Sequence, residues 1–176
     1  IGSSRFIILE GLTKLRQLAN HPKMIEPSYD GESGKLEDIT HMLENAIAED
    51  HKVLVFSQFV KHLELVRTYL KTKKIDYAYL DGSSIDRKQQ VERFNNDKNL
   101  KVFLISIKAG GLGLNLTEAD YVFILDPWWN PAVEAQAVDR AHRIGQKNKV
   151  LTYKFITRNT VEEKILMLQQ RKLKLT

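Results

Sequence analysis

The chain of 176 residues contains no cysteine, so it forms no disulfide and offers no thiolate ligand to a metal ion. It also lacks an apolar run long enough to cross a bilayer, and no signal pattern stands near its first residues. Hydrophobic residues make up 43% of the sequence, enough to fill the core of one domain. These features predict one globular unit of an intracellular protein, with no membrane partner and no metal site of its own.

A phosphate-binding loop of the type G-x-x-x-x-G-K-[ST] is also missing. Gly34-Lys35 comes nearest to it, but Tyr29 stands where the first glycine belongs and Leu36 where Ser or Thr would bind magnesium. No Asp-Glu pair ends a predicted strand, where such a pair would hold magnesium and orient water. The sequence therefore lacks the groups that hold a nucleoside triphosphate for hydrolysis.

Strand-like and helical patterns alternate from Lys35 onward. Short apolar runs predict strands at residues 53–56, 77–80, 102–105, 121–125 and 150–156. Apolar residues at helical spacing predict helices between them, at 36–47, at 59–70 and from a Ser83 cap to Phe94. Alternation of this kind predicts an α/β fold with a parallel, doubly wound sheet.

The first part of the chain differs from this pattern. Ile8, Leu12, Leu15 and Ala19 have helical spacing, and His21-Pro22 should end that helix. The polar stretch 27–34 predicts a linker. Residues 1–34 are therefore interpreted as a lead-in helix and linker outside the core, and residues 35–159 as the globular lobe.

A final helix follows the last predicted strand. Thr160 and Glu163 have the spacing of a capping box, in which each side chain bonds the backbone N–H of the other residue. We therefore expect a helix over 160–176, truncated at its end, with Val161, Ile165 and Leu168 facing inward.

Another helix is predicted after the fourth strand, with both of its ends marked. Asn130 can cap its N-terminus, Pro131 suits its first position, and Gly145 favours a stop. Arg140 and Arg143 then share one helical face. Like charges at this spacing destabilise an isolated helix by about 0.2–0.5 kcal/mol, so the pair is expected to face a polyanion.

The same helical face carries a third polar side chain, Gln136. Its amide can hydrogen-bond beside the two guanidiniums, each of which is a planar fork of donors suited to phosphate oxygens. These three side chains are therefore candidates for contact with a phosphate-bearing ligand. The alternative is a solvated salt bridge from Arg143 to Asp139, which would have little consequence.

Positive charge is concentrated toward the end of the chain. The formal net charge is +5, and from Arg140 onward the only acidic residues are Glu162 and Glu163. Such a bias suits a polyanion such as nucleic acid, for which phosphate contacts supply most of the affinity that does not depend on sequence. For the last few lysines, a solvated helix face is the alternative.

In a parallel sheet, ligands bind beside the carboxyl ends of the strands. The loops that follow the predicted strands are residues 57–58, 81–83, 106–115, 126–131 and 157–159. The third loop contains Gly110, Gly111 and Gly113, and glycine lets backbone N–H groups approach a phosphate closely. This loop is therefore a candidate anion-binding site, with an ordinary flexible turn as the alternative.

Several of these segments occur in the order of a known family. Residues 136–146, Q-A-V-D-R-A-H-R-I-G-Q, resemble the last helicase motif of the SWI/SNF-type ATPases, which are double-stranded-DNA translocases of helicase superfamily 2. The glycine loop, followed by D-P-W-W-N-P and the paired arginines, reproduces the succession of motifs V and VI in that family. The segment V-L-V-F-S-Q-F resembles motif IV, and L-D-G-S resembles the motif that follows motif IV. Residues 33–36 resemble the start of the second lobe and residues 15–22 the segment just before it, so the resemblance covers residues 15–168 almost without interruption.

This resemblance implies a three-layer RecA-like lobe, the second of two in a longer protein. Arg140 and Arg143 would act as arginine fingers, reaching across a cleft to ATP that the first lobe holds together with Mg²⁺, and Gly113 would lie near the nucleotide. The implied function is the second motor lobe of an ATP-dependent double-stranded-DNA translocase or remodeller. As a fragment, the chain is expected to be monomeric and inactive.

The resemblance further implies a groove that follows the DNA backbone. Its lining residues would be Ser57, Gln58, Gly82, Ser83, Arg87, Lys108, Gly110 and Gly111. The sequence also allows a cap role for Ser83, a first-turn helix position for Gln58, and a salt bridge from Arg87 to Asp86 or Glu92.

Two adjacent tryptophans precede the predicted arginine helix. Trp128 and Trp129 could stack on nucleic acid or pack beside a buried strand, and packing is the more common role. Two alternative functions share some of these features. An RNA helicase lobe would share both arginines but carries different residues around them. An inert nucleic-acid-binding or docking module would use the basic C-terminal helix.

The protein is expected in the cytoplasm or nucleoid of a bacterium or the nucleus of a eukaryote, and the cysteine-free segment 15–22 favours a bacterial source.

Overall fold

The computed structural model describes residues 2–31, 33–109, 114–139, 141 and 149–175. At its centre is a five-stranded parallel sheet in the order β2-β3-β1-β4-β5. The strands are β1 (Val53–Ser57), β2 (Ala78–Leu80), β3 (Val102–Ser106), β4 (Tyr121–Ile124) and β5 (Leu151–Lys154). The predicted α/β fold with a parallel sheet is confirmed.

Helices cover both faces of this sheet. The described α helices are α1 (Gly2–Asn20), α2 (Gly34–Ala48), α3 (Val60–Thr72), α4 (Arg87–Asn96), α5 (Pro131–Asp139) and α6 (Val161–Lys174). Apolar residues of α2 and α3 pack on one face of the sheet, and those of α4 and α5 pack on the other. The chain therefore has the three layers of a RecA-like lobe.

Alternation along the strands divides the core between the two faces. Val53 and Val55 of β1 point toward α2 and α3, whereas Leu54 and Phe56 point toward α4 and α5. All residues of β1 and β3 are buried, as expected for parallel strands covered on both sides.

The register brings the strand ends together. Phe56 of β1 is paired with Ile105 of β3 and Ile124 of β4, and Leu80 of β2 is paired with Ile105. The loops that follow β1 to β4 therefore leave the sheet at one edge, which we call the carboxyl edge.

The helix predicted from Ser83 begins later, at Arg87. Asp81 accepts hydrogen bonds from the backbone N–H of Ser83 at 2.8 Å and from its hydroxyl at 2.6 Å. These bonds form a turn before α4, so the prediction that Ser83 caps the helix is wrong.

Helix α6 differs from its prediction on one face. Thr160 caps it by accepting a hydrogen bond from the backbone N–H of Glu162, and Ile165 is buried as predicted. Leu168, predicted to face inward, is 43% exposed, whereas Glu162 and Gln169 are buried. The buried face is polar because these two side chains bond groups on α2, on α5 and in the loop after β4, which helical periodicity alone does not reveal.

The two ends of the globular part also depart from their predictions. Strand β5 is shorter than predicted, and Leu151 and Tyr153 are largely exposed because β5 is an edge strand. Helix α1 is predicted outside the core, but Ala19 and Asn20 at its end are buried. The boundary at residue 34 stays a prediction, and the end of the lead-in packs onto the lobe.

Candidate functional site

The loops at the carboxyl edge carry most of the predicted site residues. Ser57 and Gln58 follow β1, Ser83 follows β2, and Lys108 follows β3. The loop after β4 leads directly into α5, whose predicted cap is confirmed by a 3.1 Å hydrogen bond from the backbone N–H of Ala132 to Asn130 Oδ1. The parallel sheet thus collects these segments on one side of the lobe.

Several predicted site residues lie outside the described residues. They are Gly110, Gly111, Gly113, Arg140 and Arg143, together with the predicted helix stop at Gly145. Helix α5 is described as far as Asp139, and it exposes Gln136 while burying Ala137. The predicted nucleotide contacts of Gln136, Gly113 and the two arginines stay predictions.

Ser57 and Gln58 lie inside the protein. Ser57 is fully buried, and its hydroxyl donates a hydrogen bond to Asp126 Oδ2 at 2.5 Å. The Gln58 backbone N–H donates to Asp126 Oδ1 at 3.0 Å, and its side-chain amide donates to the carbonyl of Pro127 at 2.9 Å. The loops after β1 and β4 are therefore joined by side chains, and neither residue presents a free polar side chain to solvent.

Asp126 is the acceptor at the centre of this contact. Besides Ser57 and Gln58, its carboxylate lies 3.2 Å from His62 Nδ1 and 3.4 Å from the donating amide of Asn20. Burial acts to raise the pKa of Asp126, but the hydrogen bond and charge of His62 and the charge of Lys35 lower it overall. The group is thus a buried, ionised anchor, and the sequence analysis did not identify it.

Lys35 forms the cationic side of the same interior. Its ammonium is 2.5 Å from Glu162 Oε1 and donates hydrogen bonds to Asn20 Oδ1 and the Leu125 carbonyl. Burial lowers the pKa of Lys35 and raises that of Glu162, and the attraction between the two groups acts against both shifts. This lysine, rejected as part of a phosphate loop, instead connects α2, the end of α1, the residue after β4 and α6.

The loop after β2 is built differently. Asp81 receives the two bonds from Ser83 and a third from the Tyr79 hydroxyl, at 2.7 Å. Hydrogen bonds from Ser83 and Tyr79 lower the pKa of Asp81. The guanidinium of Arg67 lies over the Tyr79 ring, with its carbon 4.1 Å from the centroid. This chain of contacts holds the exposed loop in one shape.

The remaining predicted DNA contacts are accessible. Lys108 and Gly82 are exposed and Arg87 is half-buried. Among the described ion pairs there is none from Arg87 to Asp86 or Glu92, and Glu92 instead lies 3.9 Å from Lys88. No atom lies within 4 Å of the position that a Cβ would take at Gly82. These positions are therefore open to a large ligand.

The tryptophans before α5 pack against protein groups. Trp128 is partly buried against the core, and the guanidinium carbon of Arg16 lies 5.9 Å from its ring centroid and 5.8 Å from that of Trp129. The Trp128 backbone N–H donates to Glu134 Oε1 at 2.8 Å, and its carbonyl accepts from the Gln169 amide. Packing is thus the role seen for Trp128.

The described residues do not form a metal site or a membrane span. No group of three or more His, Asp or Glu side chains within the described ranges could hold a metal ion. Within the same ranges, every helix is too short or too polar to cross a bilayer.

Comparison with known proteins identifies relatives of this arrangement. The model of the helicase conserved C-terminal domain matches residues 34–145, which include β1 to β4 and α5. The C-terminal part of the Fun30 ATPase domain has a similar structure, with a TM-score of 0.74 and 35% sequence identity over 89% of this chain and 54% of its own.

Two relatives in sequence are much longer than this chain. The DNA repair protein rad8 of Schizosaccharomyces pombe is 46% identical over 145 residues, which are 81% of this chain and 12% of that protein. The chromatin-remodeling ATPase INO80 of the same organism is 43% identical over 148 residues, which are 83% of this chain and 9% of that protein. The chain therefore spans only a small part of the length of these two relatives.

Proposed function

Because this chain belongs to the helicase conserved C-terminal domain family, as the second RecA-like lobe of a SWI/SNF-type ATPase, we propose that it works as the second motor lobe of an ATP-dependent double-stranded-DNA translocase or remodeller. One observation carries the proposal. Helix α5, which Arg140 follows in sequence, starts at the same carboxyl edge as the loops with Ser83 and Lys108. Nucleotide contacts and DNA contacts would then be made by one rigid body.

Arg140 and Arg143 are proposed to act on a nucleotide held by the first lobe. Their guanidiniums would stabilise the charge on the transferred phosphoryl group, a role that can contribute about 10³- to 10⁵-fold in rate. Gln136 is exposed on α5, where its amide could bond beside them, and Gly113 is proposed to lie near the same phosphates. Since the sequence has no phosphate loop, we propose that the chain alone does not turn over ATP.

Magnesium is assigned to the first lobe in this proposal. The described part of this chain offers no cluster of acidic or histidine side chains for a metal ion, and its buried carboxylates Asp126 and Glu162 are already bonded to Ser57, His62 and Lys35. No step assigned to this lobe therefore uses a metal ion of its own.

The proposed movement is closure of the cleft between the lobes. Attraction between the arginines and the bound phosphates would draw this lobe toward the first, and loss of the terminal phosphate would release it. Because the loops after β2 and β3 belong to the same sheet as α5, each closure would shift their contacts along the DNA backbone. Such contacts do not depend on base sequence.

Substitution of each arginine tests the proposal in a protein that contains both lobes. Arg140→Ala and Arg143→Ala should each lower DNA-stimulated ATP turnover by about 10³-fold or more, while duplex binding is kept. Arg171→Ala, which removes the same charge from the exposed end of α6, is the control and should keep wild-type turnover. Wild-type rates in both finger variants would refute the assignment.

The choice of nucleic acid is tested in the same protein. Duplex DNA should stimulate turnover strongly, and RNA of equal length should not. Equal stimulation by RNA would instead favour an RNA helicase lobe.

A further inference from the structure

We propose that Arg16 is a positioning residue, which couples the lead-in helix α1 to α5 through Trp128 and Trp129. The inference rests on the proposed role of the arginines that follow α5. It adds that the lead-in helix α1 helps to hold α5, and with it these arginines, in position.

The Arg16 guanidinium lies among three aromatic rings. Its carbon is 5.2 Å from the ring centroid of Phe59, and it lies within 6 Å of both tryptophan centroids. Phe59 follows β1 and the tryptophans follow β4, so one side chain of α1 contacts both loops. A planar cation over ring faces is held by their quadrupoles and is sensitive to its orientation.

Hydrogen bonds do not explain why the Arg16 guanidinium lies at this position. Arg16 Nε and Nη2 are buried and have no hydrogen-bond partner among the described residues. Burial lowers the pKa of Arg16, although the charges of Asp126 and Glu162 act in the opposite direction. An apolar side chain such as methionine would fill this space without the desolvation of a charge. The guanidinium therefore indicates a need for its shape and charge.

Trp128 transmits the contact to α5. Its backbone N–H bonds Glu134, which lies in the first turn of α5, and the Gln169 amide bonds both the Trp128 carbonyl and Glu134 Oε1 at 2.8 Å. Glu134 also pairs with Lys154 of β5 at 2.5 Å. A shift of the Trp128 ring would therefore move the backbone from which α5 starts.

The end of α1 is fixed to the same edge, one turn after Arg16. The Thr157 hydroxyl donates to the Ala19 carbonyl at 2.7 Å, and Lys35 donates to Asn20 Oδ1 at 2.8 Å. Residues before Arg16 are largely exposed, among them Arg5 and Phe6. A displacement of α1 relative to the lobe would thus first change the distances between Arg16 and the aromatic rings.

Tryptophan fluorescence of the 176-residue chain tests the contact, because both of its tryptophans lie beside Arg16. Arg16→Gln should change the emission maximum and intensity, and it should increase amide hydrogen exchange in α5. Arg5→Gln removes the same charge from an exposed position on α1 and should change neither. Unchanged emission in Arg16→Gln would overturn the inference.

Turnover by the protein with both lobes tests the coupling. Arg16→Met should fill the same space and keep the thermal midpoint, but it should lower DNA-stimulated kcat by about 10- to 100-fold with little change in KM for ATP. A merely structural role predicts wild-type kcat in Arg16→Met. That result would overturn the inference.

Arg140→Ala in the same protein separates the two proposals. If it abolishes turnover while Arg16→Met is fully active, the coupling through Arg16 is refuted and the proposed function stands. If Arg140→Ala and Arg143→Ala both retain full turnover, the proposed function fails, and the inference fails with it.

Discussion

Residues predicted for a single DNA groove lie in opposite environments. After β1, Ser57 and Gln58 are buried and bonded to Asp126 and Pro127. After β2 and β3, Ser83 and Lys108 are exposed, and Ser83 is bonded within its own turn. The first pair belongs to the interior of the lobe, and the second pair belongs to its surface.

The difference separates two uses of polar residues at a sheet edge. Inside, a removed partner leaves a buried group without a hydrogen bond, so substitution is expected to destabilise the fold. Outside, water replaces a lost contact, so substitution is expected to change binding of a charged ligand in a salt-dependent way. The proposed DNA contacts of Ser57 and Gln58 therefore need a local rearrangement, whereas those of Lys108 and Arg87 do not.

Breaking the buried ion pair should have the largest effect. Lys35→Met leaves Glu162 without its cation and should lower the free energy of unfolding by about 3–5 kcal/mol, measured by urea denaturation. Glu162→Gln added to this variant removes the uncompensated charge and should restore part of the loss. If the double variant were less stable than Lys35→Met, the buried charge would not be the cause.

Neutralising Asp126 should have the next largest effect. Asp126→Asn loses charge-assisted bonds from Ser57 and His62 and should cost about 3 kcal/mol at neutral pH. The pKa of Asp126 is lowered in the folded chain, so its contribution is present above its unfolded pKa and is lost as the pH falls through the folded value. The difference in stability between the two proteins should therefore shrink below about pH 4. A difference that stays constant down to about pH 2 would contradict an ionised Asp126.

Local signals predicted much of this lobe. The strands and most helices follow from apolar periodicity, and the Asn130 cap and Pro131 fixed the start of α5 because both act within one turn. The turn at Asp81 was missed because an aspartate beside two serines can bond either of them or leave a serine to cap the helix.

The polar interior could not be derived from such signals. Lys35 and Glu162 are separated by 127 positions, and nothing in their neighbouring sequence indicates that they meet. Asp126 had one usable signal, its place at the end of a buried strand beside the loop of Ser57. Arg16 carried only a helical position, so its contact with the tryptophans needed the packing of α1.

Two serines allow a matched test of interior against surface. Ser57→Ala removes bonds to Asp126 and from the Phe59 backbone N–H and should cost about 1–2 kcal/mol in unfolding free energy. Ser83→Ala removes one bond on an exposed turn and should cost about 0.5 kcal/mol or less. If both variants lost the same unfolding free energy, the contrast between the buried loop after β1 and the exposed loop after β2 would be wrong.

The smallest change in stability is expected for the surface cations. Arg87→Gln and Lys108→Gln should each alter the free energy of unfolding by about 0.5 kcal/mol or less, because neither residue has a buried ion pair among the described contacts. Duplex binding by the two-lobe protein should nevertheless weaken. Each lost phosphate contact should reduce the slope of log K against log salt by about 0.9.

The salt slope decides whether these cations touch phosphates, since a change in affinity alone could come from the general field of the lobe. Lys71→Gln is the matched control, because it removes one exposed charge from the last turn of α3, far along the helix from the carboxyl edge where α3 begins. It should lower affinity slightly and leave the slope unchanged. If Lys108→Gln leaves the salt slope unchanged, as expected for Lys71→Gln, Lys108 does not contact a phosphate. The proposed DNA groove then does not include the loop after β3.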